Sequence, residues 1–191
     1  MSAGTSMAGL INPPSLIEYG PLRLLIADAP SDHTLPIYIK EFAKYGVTDV
    51  VRVCEPTYQR ARLERAGYRV HDWSFDDGCE PPDTIIEHWL GLLETRFGPE
   101  ARLARSTNGV SGTRPPPDQL TDDTDLCVAI HCVAGLGRAP LLVAIALIEY
   151  GMSPLDSVAY VRERRRGAIN NRQLRYVERY RRHTRKGCII C

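Results

Sequence analysis

Leu126-Cys127-Val128-Ala129-Ile130-His131-Cys132-Val133-Ala134-Gly135-Leu136-Gly137-Arg138-Ala139-Pro140 is the stretch that decides the fold, because a buried strand runs in it straight through a loop into a helix. Five residues separate Cys132 from Arg138, the spacing HCx5R. In a strand–loop–helix setting, the successive backbone N–H groups of residues 133 to 138 turn inward and form a concave anion nest at a helix N-terminus. Gly135 and Gly137 are both expected to supply the positive φ values that this curvature needs. Arg138 adds a planar fork able to hold two oxygens of a phosphoryl group, so Val133, Ala134, Gly135, Leu136, Gly137 and Arg138 together suit a tetrahedral dianion. Cys132 stands at the bottom of the nest. Activated cysteines in such places have pKa values of about 3.5–7.5, against about 8.5 when unperturbed, which makes Cys132 the expected nucleophile. His131 is expected to orient the loop rather than to transfer protons.

Outward from this stretch, short β-branched runs alternate with longer helical segments, the pattern of an α/β domain whose central, mostly parallel sheet is flanked by helices. Strands are expected at Leu22–Asp28, Val47–Val53, Tyr68–Trp73 and Leu126–His131. Helices are expected at Leu35–Tyr45, Thr57–Ala66 and Thr84–Phe97, each followed by a glycine suited to a left-handed cap. The C-terminal third reads as helical: Ala139–Tyr150, a helix started by Ser153-Pro154 and running to Arg165, and a basic helix over Asn171–Arg182. The domain is expected over 20–182, after a flexible N-terminus at 1–19. Residues 98–125 gather Ser, Thr, Asn, Gly and Pro115-Pro116-Pro117 without apolar periodicity, and read as an exposed insertion, either a spacer or a docking site for a small adaptor.

The 191 residues fit one domain, and 43% hydrophobic with 25% charged is ordinary globular composition. The longest apolar run, Ala139 to Ile148, is ten residues, well short of the roughly 18 that span a bilayer. Neither a secretory signal nor an N-myristoylation site is read at the N-terminus, which predicts a cytosolic protein. The six cysteines are scattered and read as reduced thiols; Cys188 and Cys191 make a CxxC without a second ligand pair, so no metal and no cofactor is expected. The net charge of +1 hides an asymmetry: residues 1–161 hold 13 basic and 21 acidic side chains, whereas residues 162–191 hold 11 basic and 2 acidic. Because the basic tail leads into Cys188-Ile189-Ile190-Cys191, which fits the C-a-a-X prenylation pattern at Cys188, a membrane is the expected partner rather than nucleic acid.

The loop resembles that of the phosphatases of regenerating liver, the prenylated dual-specificity-type group of cysteine-dependent protein tyrosine phosphatases. Tyr45-Gly46-Val47-Thr48, Val51-Arg52-Val53-Cys54-Glu55, Asp72-Trp73-Ser74-Phe75-Asp76-Asp77-Gly78, Arg165-Arg166-Gly167-Ala168 and the C-terminal box carry the likeness over nearly all of 20–191. The chain departs from the family at the 98–125 insertion, at Ser74 in place of proline and at Gly187 in place of a second cysteine. The residues leave both Asp76 and Asp77 as candidates for the acid that a departing alkoxide or phenoxide needs; the resemblance assigns it to Asp77. It further implies the cysteine-dependent phosphatase fold, phosphoprotein substrates, slow turnover because Ala139 replaces a Ser or Thr, and a reversible disulfide between Cys54 and Cys132. Also implied are prenylation and methylation at Cys188, with farnesyl and geranylgeranyl both open, and residence on the cytoplasmic face of plasma or endosomal membranes. Homotrimers are implied as well. The competing reading is a binding module that docks on regulatory domains of magnesium transporters of the cyclin M type; phosphoinositide hydrolysis ranks last, since Val133, Ala134 and Leu136 give the loop no further cation.

Overall fold

The computed structural model of the chain describes Leu10, residues 12–98 and residues 126–183. The expectations for the insertion beyond Gly98 and for the basic box with Cys188 lie outside the described residues. A five-stranded sheet runs in the order β1-β2-β5-β3-β4, built from β1 (Ser15–Tyr19), β2 (Leu22–Ala27), β3 (Val47–Arg52), β4 (Arg69–Asp72) and β5 (Cys127–His131). Every pairing is parallel except β1 with β2, so the sheet is mixed at one edge only.

The strands alternate faces with the period of two that a pleat imposes. Leu25, Ala27, Val50, Cys127 and Ala129 face α1 (Leu35–Lys44) and α2 (Arg60–Arg65). Leu24, Ile26, Val51, Val128 and Ile130 join the larger core formed with α3 (Asp83–Phe97), α4 (Arg138–Glu149), α5 (Pro154–Arg164) and α6 (Asn171–Arg179). Helix α4 is buried along its whole length, which its unbroken apolar run requires. Trp89 locks α3 to it by donating from Nε1 to the Leu142 carbonyl at 2.8 Å. Among the described residues no helix is long and apolar enough to cross a membrane.

Three boundaries differ from the sequence reading by more than one residue. Ser15–Tyr19, expected in the flexible N-terminus, is an edge strand that pairs with β2 and buries Ile17, so the folded region begins before residue 20. Helix α2 starts at Arg60 because Thr57 donates to the Pro30 carbonyl and Tyr58 turns inward to His131. Helix α6 ends at Arg179, where Tyr180 leaves helical geometry and its hydroxyl meets the buried Glu149.

The sheet also positions a buried carboxylate. Burial pushes the Asp49 pKa up, but hydrogen bonds with His71, Arg96 and Thr48 more than offset it and hold the group well below the usual carboxylate range. Arg96 grips both carboxylate oxygens at 2.7 and 2.9 Å, tying the end of α3 to β3. A group with a depressed folded pKa stabilises fully above its unfolded value and loses that contribution as pH falls toward the folded one. Asp49→Asn is therefore expected to lower unfolding stability at pH 7 by about 3 kcal/mol, and the gap from wild type to shrink below about pH 4; denaturant midpoints across pH check both.

Candidate active site

Strand β5 lies between two parallel neighbours, β2 and β3, which diverge in sequence around it, and its carboxyl end opens where such sheets bind ligands. Cys132 and the loop to Arg138 sit at this point. The carbonyls of all five intervening residues are held from outside. Val133 accepts from the Ala29 N–H at 2.9 Å, Leu136 from the Ile169 N–H at 2.8 Å and Gly137 from the Leu141 N–H at 3.0 Å. Ala134 and Gly135 accept from the guanidinium of Arg165 at 3.4 and 3.2 Å. None of the N–H groups of residues 133 to 138 is engaged by a protein acceptor in the described residues, which leaves them as donors for an anion.

Gly135 has φ +66°, and a Cβ there would lie 2.6 Å from both the Ala27 carbonyl oxygen and Arg165 Nη2. Gly137 corrects the sequence reading: its φ is −111°, so no left-handed backbone demands glycine there. What crowds it is side chains, since a Cβ would stand 3.5 Å from Gln173 Nε2 and 3.6 Å from Asp77 Oδ1.

Cys132 and Arg138 are buried, whereas Val133 and Leu136 are 58% and 38% exposed and form an apolar rim. Arg138 Nη1 donates to the Phe75 carbonyl at 3.0 Å, and its Nε lies 3.3 Å from Asp77 Oδ1. The loop carrying Asp77 is thereby brought against the anion nest; Asp76, its neighbour, is exposed and its carbonyl closes the turn to Cys79. His131 is buried beneath the loop with Nε2 at 2.8 Å from the Tyr58 hydroxyl, and burial depresses its pKa to about 4. It is neutral at physiological pH, and its place is structural. The Tyr58 carbonyl in turn accepts from Arg52, which pairs with Asp72 at the surface, so a polar chain links β3, β4 and β5 under the site.

Cys54 is buried in the same core as Cys132; burial pushes its thiol pKa up while Arg138 draws it down, and both thiols are free. Gln173, fully buried, is the residue the sequence reading missed. Its Oε1 accepts from the Asn170 N–H in a capping box, and its Nε2 has no hydrogen-bond partner among the described residues. The N-x-x-Q spacing at the start of α6 is the signal that would have found the cap. Among the described residues no group of three or more His, Cys, Asp or Glu is placed to hold a metal ion.

No family model matches the chain. It is 46% identical over 168 residues to protein tyrosine phosphatase type IVA 3 of Bos taurus, covering 88% of this chain and 84% of that protein. It is 45% identical over 168 residues to protein tyrosine phosphatase type IVA 2 of Mus musculus, covering 88% and 87%. Among solved structures, a protein tyrosine phosphatase from Leishmania major superposes with a TM-score of 0.68 at 41% identity, over 88% of this chain and 99% of that one.

Gly135→Ala is expected to force the loop off the Ala27 carbonyl and to strain φ, weakening inorganic phosphate binding by at least about tenfold, given about 1–3 kcal/mol for such strain. Calorimetric titration with phosphate, beside a thermal midpoint, checks it.

Proposed function

The chain belongs to the type IVA protein tyrosine phosphatases, the phosphatases of regenerating liver, and on that premise we propose a membrane-anchored, dual-specificity-type enzyme that turns over slowly through a phosphocysteine. The observation that carries this reading is the outward binding of every loop carbonyl from Val133 to Gly137, which aims the N–H groups at whatever sits over Cys132. In the first step the Cys132 thiolate forms a bond to phosphorus, and the bond from phosphorus to the leaving oxygen breaks as Asp77 gives that oxygen a proton. In the second, water attacks the phosphocysteine, the P–S bond breaks to restore the thiolate, and the Asp77 carboxylate takes the proton of the water. Arg138 and the loop N–H groups hold the equatorial oxygens throughout. Asp77 is supported as the acid by its 3.3 Å approach to Arg138.

Slow turnover follows from Ala139, which is fully buried at the start of α4 and brings no hydroxyl to the departing thiolate. Gln173 Nε2, near Gly137 and Asp77, is the donor placed to hold the attacking water. Cys54 serves as the resolving thiol for an oxidised Cys132, supported by their common core and electrostatic coupling. Prenylation at Cys188 with the cations Arg181, Arg182, Arg185 and Lys186 anchors the protein to the cytoplasmic face of plasma or endosomal membranes, each cation adding about 1 kcal/mol at an anionic leaflet. Homotrimerisation belongs to the same family reading. Docking on a cyclin M type regulatory domain is the second reading, favoured by one feature: a guanidinium-lined hole with the exposed apolar rim Val133 and Leu136 accepts a protein carboxylate as well as a phosphoryl group.

With a small aryl phosphate under reducing conditions, Cys132→Ser is expected to abolish release and Asp77→Ala to slow it by about 100-fold. Ala139→Ser is expected to raise turnover while the trapped phosphocysteine declines; absence of any Cys132-dependent release makes docking the primary role. Separately, Cys188→Ser is expected to move the expressed full chain from the membrane to the soluble fraction, and unchanged fractionation removes the anchor.

A further inference from the structure

The segment that carries Asp77 leaves the sheet at Trp73. One residue past β4, the Trp73 N–H still donates to the Arg52 carbonyl at 2.9 Å. Its partly buried indole packs on the larger core and meets two imidazoles, one from β4 and one from α3. The His71 ring lies 5.1 Å away, centroid to centroid, tilted by 38°; the His88 ring lies 5.8 Å away, stacked within 25° of parallel. Such pairs attract beyond the area they bury. Both imidazoles are presented from fixed elements. Asp49 accepts from His71 Nε2 at 2.9 Å and from Arg96 of α3 at 2.7 and 2.9 Å, which ties the two elements to one buried carboxylate. Trp89, next to His88, locks α3 onto α4. His88 itself is exposed, and among the described residues it makes no hydrogen bond or ion pair, so a substitution there changes the contact with Trp73 and little else.

Beyond Trp73, the segment reaches Arg138 through the Phe75 carbonyl and Asp77, and Glu80 meets Arg172 at 3.7 Å. The first two contacts draw on the guanidinium that a bound phosphoryl group engages, and an ion pair between exposed groups is worth little. What does not depend on Arg138 is apolar: Phe75 against the core, and the stack at Trp73, four residues before Asp77. We propose that His71 and His88 are positioning residues for the phosphatase reaction. By gripping the Trp73 indole they set the angle at which the segment leaves the sheet, and so hold Asp77 at the leaving oxygen while Arg138 is engaged by the phosphoryl group. The inference rests on the reading of Asp77 as the acid and deepens it by naming what holds that acid in place. A misplaced acid costs most where the departing oxygen needs a proton, and little where the leaving group departs unaided. Loss of fold or of phosphate affinity slows both kinds of substrate alike.

The test compares kcat/KM for phenyl phosphate and dinitrophenyl phosphate on the full chain. This ratio ends at formation of the phosphocysteine and is blind to its slow hydrolysis. Phenyl phosphate expels a basic phenoxide, whereas dinitrophenyl phosphate expels an anion stable without a proton. Asp77→Ala is expected to slow the phenyl ester about 100-fold and the dinitrophenyl ester by no more than about twofold. His88→Ala is expected to slow the phenyl ester about fivefold, the worth of one aromatic pair, with the dinitrophenyl ester again within about twofold. His88→Phe, which keeps a ring on Trp73, is expected to restore the rate. His71→Ala is expected to show the same split together with a lower thermal midpoint, because it also deprives Asp49 of a donor. Comparing two substrates on one protein cancels any difference in folded fraction. Absence of a split in either alanine variant, or a His88→Phe variant as slow as His88→Ala, overturns the proposal. Equal slowing of both esters by Asp77→Ala overturns the acid assignment and the clamp with it, whereas a split with Asp77→Ala and none with His88→Ala overturns the clamp alone.

Discussion

A loop that turns its N–H groups inward must find partners for its carbonyls outside, and the rest of this structure is arranged around that need. Three separate parts of the chain meet it: the segment after β2 through Ala29, the end of α5 through Arg165, and the segment before α6 through Ile169. The last is costly. Ile169 is β-branched yet has φ +62°, a conformation such side chains rarely adopt, and it is this backbone that aims its N–H at the Leu136 carbonyl. Arg162 holds the strained segment by donating to the carbonyls of Ala168 and Ile169 at 2.9 and 2.6 Å. Packing in the C-terminal third is thus connected to the anion nest through backbone geometry as well as through the core.

The two charged partners of the nest hold each other. Arg138 is nearly buried and uses one nitrogen on the Phe75 carbonyl, leaving the rest of its fork between the nest and Asp77. An arriving dianion competes with Asp77 for that fork, so on the proposed mechanism substrate binding and release of Asp77 from its ion pair are one event. Asp77 is itself exposed, which costs it little to leave, whereas Arg138 could not remain buried without a partner.

Most of this was legible in the sequence where local chemistry and tertiary role agree. HCx5R between an apolar strand and an apolar helix determined the loop, and each glycine after a helix marked its end. Legibility failed where a residue's role is set by a partner far along the chain. Ser15–Tyr19 is five residues with one fully buried side chain, Ile17, and becomes a strand only because β2 offers an antiparallel edge. Gly137 looked like a conformational glycine; it is crowded by Gln173 and Asp77, which no local pattern announces. Arg165 counted as part of a basic tail and of a segment that carries the family resemblance, with no role of its own, while it is in fact buried against the loop. Gln173 was hidden among the polar residues of the most amphipathic-looking helix.

On the proposed mechanism, the slow second half of the reaction has a structural origin in the same economy. Helix α4 is apolar on all sides because it is buried on all sides, and Ala139 in its first turn belongs to that requirement. A hydroxyl there would need a partner within a fully packed environment. Beside Gly137, just before that helix, stands Gln173 Nε2, and because Oε1 is occupied by the Asn170 N–H, the amide presents a donor. A donor can fix the oxygen of a water molecule but cannot take its proton. On the same proposal that proton goes to Asp77, whose Oδ1 stands 3.6 Å from the place a Cβ of Gly137 would take while still within reach of Arg138. On this proposal one carboxylate serves the guanidinium, the leaving group and the water in turn, and Ala139 offers no hydroxyl to the thiolate as it departs.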